Sequence, residues 1–173
     1  MANKQALREL QSRLAERLQA ARTQERGKSW LAVECSARGF LFPLRDAGEI
    51  FPVAPLAPVP HSHPWFLGVS NLRGHLHGVV DLGGFLGLNG HGGPREQSRL
   101  VGFNHALDIN CVLLVDRLSG LRSEAELEPE RAEESGPRPG FAGARYRDAS
   151  SRLWQELNLA ALAGDEAFLG IVG

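Results

Sequence analysis

The 173-residue chain is expected to be a mainly β protein behind a helical N-terminus, on three observations. Short apolar runs of strand length recur from residue 29 onward, separated by glycine, proline or polar turns. The chain carries 20 glycines, which suit tight β corners better than a helical bundle. The one long stretch with three- and four-residue apolar spacing lies ahead of Gly27. Many short strands at close spacing build small barrels or a sandwich.

Residues 3–25 read as an amphipathic helix, with Leu7, Leu10, Leu14, Leu18 and Ala21 on one stripe and good helix formers elsewhere. Gly27 is its stop. The plain expectation is that the stripe packs on the adjoining domain; the alternative is a partner-binding or dimerising helix. "SWLAVECS" (29–36) alternates Trp30, Ala32 and Glu34 with Leu31, Val33 and Cys35, and with "FLFPL" (40–44) it predicts a hairpin. "RDAGEIF" (45–51) reads as a turn of helix leading to a strand. The proline-rich 52–65 cannot donate to a central ladder and reads as an edge strand or extended connector.

"WFLGVSNL" (65–72) and "HLHGVVDL" (75–82) form a strand pair turning at Arg73 and Gly74. "GGFLGL" (83–88) is one helical turn or a tight loop, and 89–97 a glycine-rich turn. Residues 98–121 hold two or three strands with a turn near "NHALD". The acidic, Pro/Gly-bearing 123–140 reads as an exposed loop, 141–159 as a hairpin turning at 148–150, and the end as two short helical pieces broken at Gly164.

Composition excludes several classes. Net charge is −1, so no concentrated basic surface argues for a nucleic-acid partner. Charge is uneven: residues 1–28 carry seven Lys or Arg against three Glu, and 123–135 carry six Glu against one Arg. No stretch of about 18 apolar residues predicts direct membrane insertion. No secretory leader is evident at the N-terminus, and Cys35 and Cys111 read as buried free thiols of a cytoplasmic protein. No G-x-S-x-G, H-E-x-x-H, P-loop or G-x-G-x-x-G motif is present, so no catalytic residues and no cofactor are assigned. A metal-dependent enzyme is the alternative, because His75, His77 and Asp81 share one strand face.

The remaining candidate is the corner in "GVSNLRGHLHGVVDL" (68–82). Asn71 and Gly74 suit a turn, which sets Arg73 at its tip. An arginine on a stiff hairpin is a preorganised fork for an acceptor on a partner, or a pin for its own turn.

The block "GVSNLRGHLHGVVDLGGFLGL" (68–88) resembles the signature of the CheW-like chemotaxis coupling domain. "GFLFPLRDAGEIF" (39–51), "VLLVDRLSGL" (112–121) and "FAGARYRDASSRLWQELNLAALA" (141–163) are similar to the family's early hairpin, later strand and closing hairpin. The striped helix and the "PWFLGVSNLRG" lead-in look most like the PilI branch, which serves type IV pili and twitching motility. The resemblance implies two small five-stranded SH3-like barrels, with a domain at 28–173 behind the helix at 1–27. It implies a non-catalytic adaptor joining the cytoplasmic tip of a methyl-accepting chemoreceptor to the regulatory domain of a CheA-type histidine kinase; a second alternative is a divergent scaffold of the same fold without receptor binding. Membrane association would be indirect, through receptor arrays, and the oligomeric state stays open. Carried over, Arg73, Gly68 and Glu49 match family positions, with Ile50, Val69 and Asn71 beside them as partner-binding candidates. Gly68 would let another backbone approach, Glu49 would offer an acceptor at a barrel rim, and Ile50 and Val69 would give apolar contact. The chain departs from the family at Gly78, where many members have proline, and at Gly83, Gly84 and Phe85, where many are basic.

Overall fold

The computed structural model describes residues 2–25, 27–88, 94–131 and 136–173, with side chains along the first helix described from residue 4 to 19. That helix, α1 (Ala2–Glu25), matches the expectation from spacing. Among the described residues, the leucines of its stripe do not pack on the domain. Leu7, Leu10, Leu14 and Leu18 remain 57, 57, 52 and 64% exposed. The reason is that the three hydrophobic clusters of the domain are built from later residues and close without α1.

The chain then forms β1 (Ser29–Cys35), β2 (Arg38–Pro43), β3 (Ala47–Pro52), β4 (Phe66–Leu72), β5 (His75–Asp81), α2 (Leu82–Phe85), β6 (Arg99–Phe103), β7 (Cys111–Val115) and β8 (Arg117–Ser123). It continues through β9 (Glu128–Glu130), β10 (Ala142–Arg147), β11 (Leu153–Leu157), α3 (Leu159–Ala163) and α4 (Glu166–Leu169). One sheet has the order β8-β1-β2-β11-β10-β9, the other β3-β6-β7-β5-β4. Each contains one parallel pair, β2 with β11 and β5 with β7, among antiparallel neighbours.

Two elements differ from expectation. The acidic segment is not all loop: β9 pairs with β10, adding a sixth strand to the first sheet. Leu127 anchors it by burial at 5% exposure, and Arg147 pairs with Glu130 at 2.7 Å across the strands. Residues 45–51 contain no helical turn. A turn closed by Asp46 N–H to the Pro43 carbonyl (3.0 Å) leads straight into β3. The glycine-rich 89–93 and residues 132–135 of the acidic segment lie outside the described residues.

The alternation in β1 feeds two cores at once. Trp30 and Ala32 enter a cluster with Leu41, Leu127, Tyr146 and Trp154, inside the first barrel. Leu31, Val33 and Cys35 enter a larger cluster shared with the second sheet, reached by Val80, Val101, Leu113 and Val115. The short helices plug this shared core through Leu82, Leu159, Leu162 and Phe168. The second barrel closes on Phe51, Leu72, Val79, Leu100, Val112 and Leu114. Strands buried on both faces cannot alternate apolar with polar, which is why β7 reads as a continuous apolar run. Cys35 and Cys111 are both buried and free, as expected, and burial pushes each thiol up to about 12.

Glu34, on the same face as Trp30, is 8% exposed. Its carboxylate is held by Arg117 of β8 and Arg152 beside β11, and accepts from the Ser119 hydroxyl at 3.2 Å. Burial alone would raise this carboxyl, but the hydrogen bonds from Arg152 and Arg117 outweigh it and hold it below its ordinary value. A depressed folded value adds stability above the unfolded carboxyl's range, about 4.3, and that stability is lost as pH falls through the folded value. Glu34→Gln is therefore expected to lower the melting temperature at pH 7 and to flatten its decline between pH 6 and 3. Parallel melting curves of variant and wild type in acid would contradict the assignment.

Candidate docking site at the β4–β5 corner

Strands β4 and β5 pair up to Leu72 opposite His75, leaving Arg73 and Gly74 as a two-residue hairpin loop. Their φ values are 52° and 82°, so both central residues are left-handed. This is the primed hairpin turn, whose twist matches the flanking strands. Asn71 closes it, its Oδ1 accepting from the Gly74 N–H at 2.9 Å. Arginine is an uncommon occupant of the first position, where a side chain costs on the order of 1 kcal/mol. The strain is tolerated at the place where the side chain is 72% exposed.

Arg73 reaches across to Glu49 of β3 and pairs with it. Strands β3 and β4 are opposite ends of the sheet order, so the ion pair spans the seam where the sheet rolls into a barrel. The guanidinium also lies 5.8 Å from the centroid of the Phe51 ring. Phe51 in turn meets the His77 ring at 5.9 Å. Beside the pair is a depression of about 280 Å³ bordered by Glu49, Phe51, His77, Asn104, His105 and Ile109. Ile50 and Leu76, 38% and 61% exposed, supply apolar surface nearby in sequence to the two charges. An exposed ion pair of this kind adds little to stability, about 0–1 kcal/mol. Its chemistry is that of a rim able to exchange an internal partner for an external one.

The sequence-derived candidates divide. Arg73, Glu49, Asn71 and Ile50 are exposed, and Arg73 and Glu49 are in direct contact. Gly68 and Val69 are not part of that surface. The backbone that approaches Gly68 is the chain's own connector: a Cβ there would sit 2.2 Å from the Ala57 carbonyl oxygen. Val69 exchanges two backbone hydrogen bonds with Ala57, at 2.8 and 2.9 Å, and packs on the shared core. Leu76 and Phe51 were not singled out from sequence. The signal available for Leu76 was its alternation with His75 and His77, which puts it on the opposite strand face.

The alternative ligand set His75, His77 and Asp81 is not brought together. Four residues of strand separate His77 from Asp81 by about 13 Å, far beyond a shared coordination sphere. Among the described residues no group of three His, Cys, Asp or Glu side chains could hold a metal ion. His63 stacks on Trp65 with ring centroids 5.3 Å apart.

Three comparisons bear on this arrangement. A family model described as a CheW-like domain matches residues 29–167. Protein PilI of Pseudomonas aeruginosa is 29% identical over 156 residues, which cover 86% of this chain and 83% of that protein. The crystal structure of the scaffolding protein TtCheW from Thermoanaerobacter tengcongensis superposes with a TM-score of 0.62 at 17% identity, covering 77% of this chain and 90% of that one. The last of these is a likeness of fold.

Proposed function

The chain belongs to the CheW-like domain family, and on that premise we propose that it is a non-catalytic adaptor linking methyl-accepting chemoreceptors to a CheA-type histidine kinase. The likeness to PilI supports a chemosensory system controlling type IV pili and twitching motility. In this reading the coupling domain is 28–173, preceded by the helix at 1–27, and the partners are the kinase regulatory domain and the receptor's cytoplasmic tip. The protein works in the cytoplasm, reaching membrane arrays only through its partners. No helix of the described residues is long and apolar enough to cross a membrane.

The observation that carries the docking site is Arg73, held at φ 52° on a closed turn with its side chain 72% exposed and paired at the rim with Glu49. A partner acidic group can take over the guanidinium without unfolding anything, and Ile50 and Leu76 add desolvated contact. Gly68 and Val69 serve the site from behind by fixing the β4 edge, while Asn71 fixes the turn.

Calorimetric titration against the regulatory domain of the pilus-type kinase from the same genome tests this. Saturable one-to-one binding is expected, weakened about tenfold by Arg73→Ala. The melting temperature should move by no more than about 4 °C, because an exposed ion pair contributes so little. No binding by two folded proteins would overturn kinase coupling. Weakened binding accompanied by a collapsed melt would make Arg73 a pin for its own turn.

A further inference from the structure

The coupling surface leaves α1 without a role, and the helix carries a feature that a passive extension does not need. Leu7, Leu10, Leu14 and Leu18 each keep more than half their surface exposed, and every side chain from residue 4 to 19 is exposed. The leucines follow a 3-4-4 spacing, an 11-residue period close to the helix's own, so the stripe runs nearly straight along one side. At about 100° per residue it covers roughly 80° of the circumference.

The borders of the stripe have one sign. By the same geometry Arg13 and Arg17 lie along one margin, and Lys4 lies on the other with the uncharged Gln11 and Ala15. Glu9 and Glu16 fall on the far side, about 140–160° from the stripe's centre. No carboxylate between residues 4 and 19 borders the leucines.

We propose that α1 is a docking helix for an acidic amphipathic helix of another protein, one whose apolar stripe is bordered by Glu or Asp. The apolar faces would bury each other, and the basic margins would meet carboxylates. Charge argues against a second copy of this chain as occupant. Antiparallel pairing sets Arg13 beside Arg17 of the second copy, and parallel pairing supplies no acid to either margin. Anionic lipid fits less well, since Glu9 and Glu16 interrupt the polar face that such a surface would need basic. The stripe from Leu7 to Leu18 is about 17 Å long on a helix about 10 Å across. A face of roughly 170 Å² is small beside the roughly 800 Å² per partner of a standard interface, so the contact is weak and exchangeable.

The test uses the full chain and a fluorescent synthetic peptide of the α1 sequence carrying Lys4→Glu, Arg13→Glu and Arg17→Glu. This charge-reversed peptide is expected to bind at least about tenfold more tightly than the unaltered α1 peptide. Binding should weaken at least about fivefold between 0.1 and 1 M salt, as the screening length falls from about 10 to 3 Å. Leu14→Asp in the full chain should abolish it while leaving any binding to the kinase regulatory domain unchanged. Equal binding of both peptides, or none by the reversed one, overturns the proposal. Leu14-dependent dimers in sedimentation equilibrium would assign the stripe to a second copy. Leu14-dependent pelleting with vesicles containing one-fifth phosphatidylserine would assign it to lipid. Either result also overturns the proposal.

Discussion

Trp154→Ala is expected to destabilise the protein by about 4 kcal/mol, the usual range for emptying a buried aromatic site. The ring is 1% exposed and belongs to the core of the first barrel with Trp30, Leu41 and Tyr146. It lies directly over Gly39 of β2, where a Cβ would stand 2.5 Å from the ring. The glycine has no side chain to refill the space, so the cavity stays open. The guanidinium of Arg152 covers the ring at 4.7 Å and that of Arg122 at 5.6 Å. The indole N–H donates to Asp148 Oδ2 at 3.0 Å. Domains of this kind have total stabilities of about 5–15 kcal/mol, so the loss approaches the whole at the lower end. Thermal melting should fall by roughly 8–16 °C. Trp154→Phe should retain most of the packing and cost about 1–2 kcal/mol, chiefly the hydrogen bond and part of the ring. If the two variants melt together, the hydrogen bond to Asp148 and not the packing over Gly39 holds the strand.

The second large effect belongs to Gly68→Ala, expected at about 3–5 kcal/mol from strain and lost hydrogen bonds together. The residue sits at φ 126°, and its missing side chain leaves room for the Ala57 carbonyl, with the next backbone atoms at 2.8 and 2.9 Å. Backbone cannot swing aside as a flexible side chain can. The connector must detach, breaking both hydrogen bonds between Ala57 and Val69. Hydrogen exchange should therefore speed up at Ala57 and Val69 in a weakly destabilising solvent before the barrel core exchanges. Gly74→Ala is the control: its φ of 82° is also left-handed, but nothing lies within 4 Å of the added Cβ. It should cost about 1 kcal/mol. Equal costs at the two positions would show that conformational strain, not the Ala57 carbonyl, sets the requirement for glycine.

The comparison of Gly68 with Arg73 shows what was legible in the amino-acid sequence. The corner could be read because its determinants are adjacent: Asn71, Arg73 and Gly74 make a turn by themselves. The hairpin of β1 and β2 could be read for the same reason, its register being set by local alternation. Glycine at 68 could be read as a close approach, but not as an approach by residue 57, because nothing local names the visitor. Arg73 could be placed at a tip, but its pairing with Glu49 depends on the sheet rolling its two ends together. The environment of Glu34 is assembled from Arg117 and Arg152, so a residue that reads as the polar member of an alternating strand is buried and paired. β9 was hidden by its charge, since its neutralising Arg147 arrives 17 residues after Glu130. The leucine stripe of α1 was plain in sequence, whereas its exposure followed from cores that close without it.

The pairing of β2 with β11 also has a bearing on synthesis. The first sheet is made from the two ends of the domain, while the strands of the second sheet, β3 to β7, are consecutive in the chain. During translation the second sheet is complete once Val115 has left the ribosome. The β1–β2 hairpin must wait for Trp154 to cover Gly39. At about 5–20 residues per second that wait is on the order of ten seconds. Through it Trp30 and Leu41 stay uncovered, which makes the nascent hairpin the part of the molecule most in need of a chaperone's shelter.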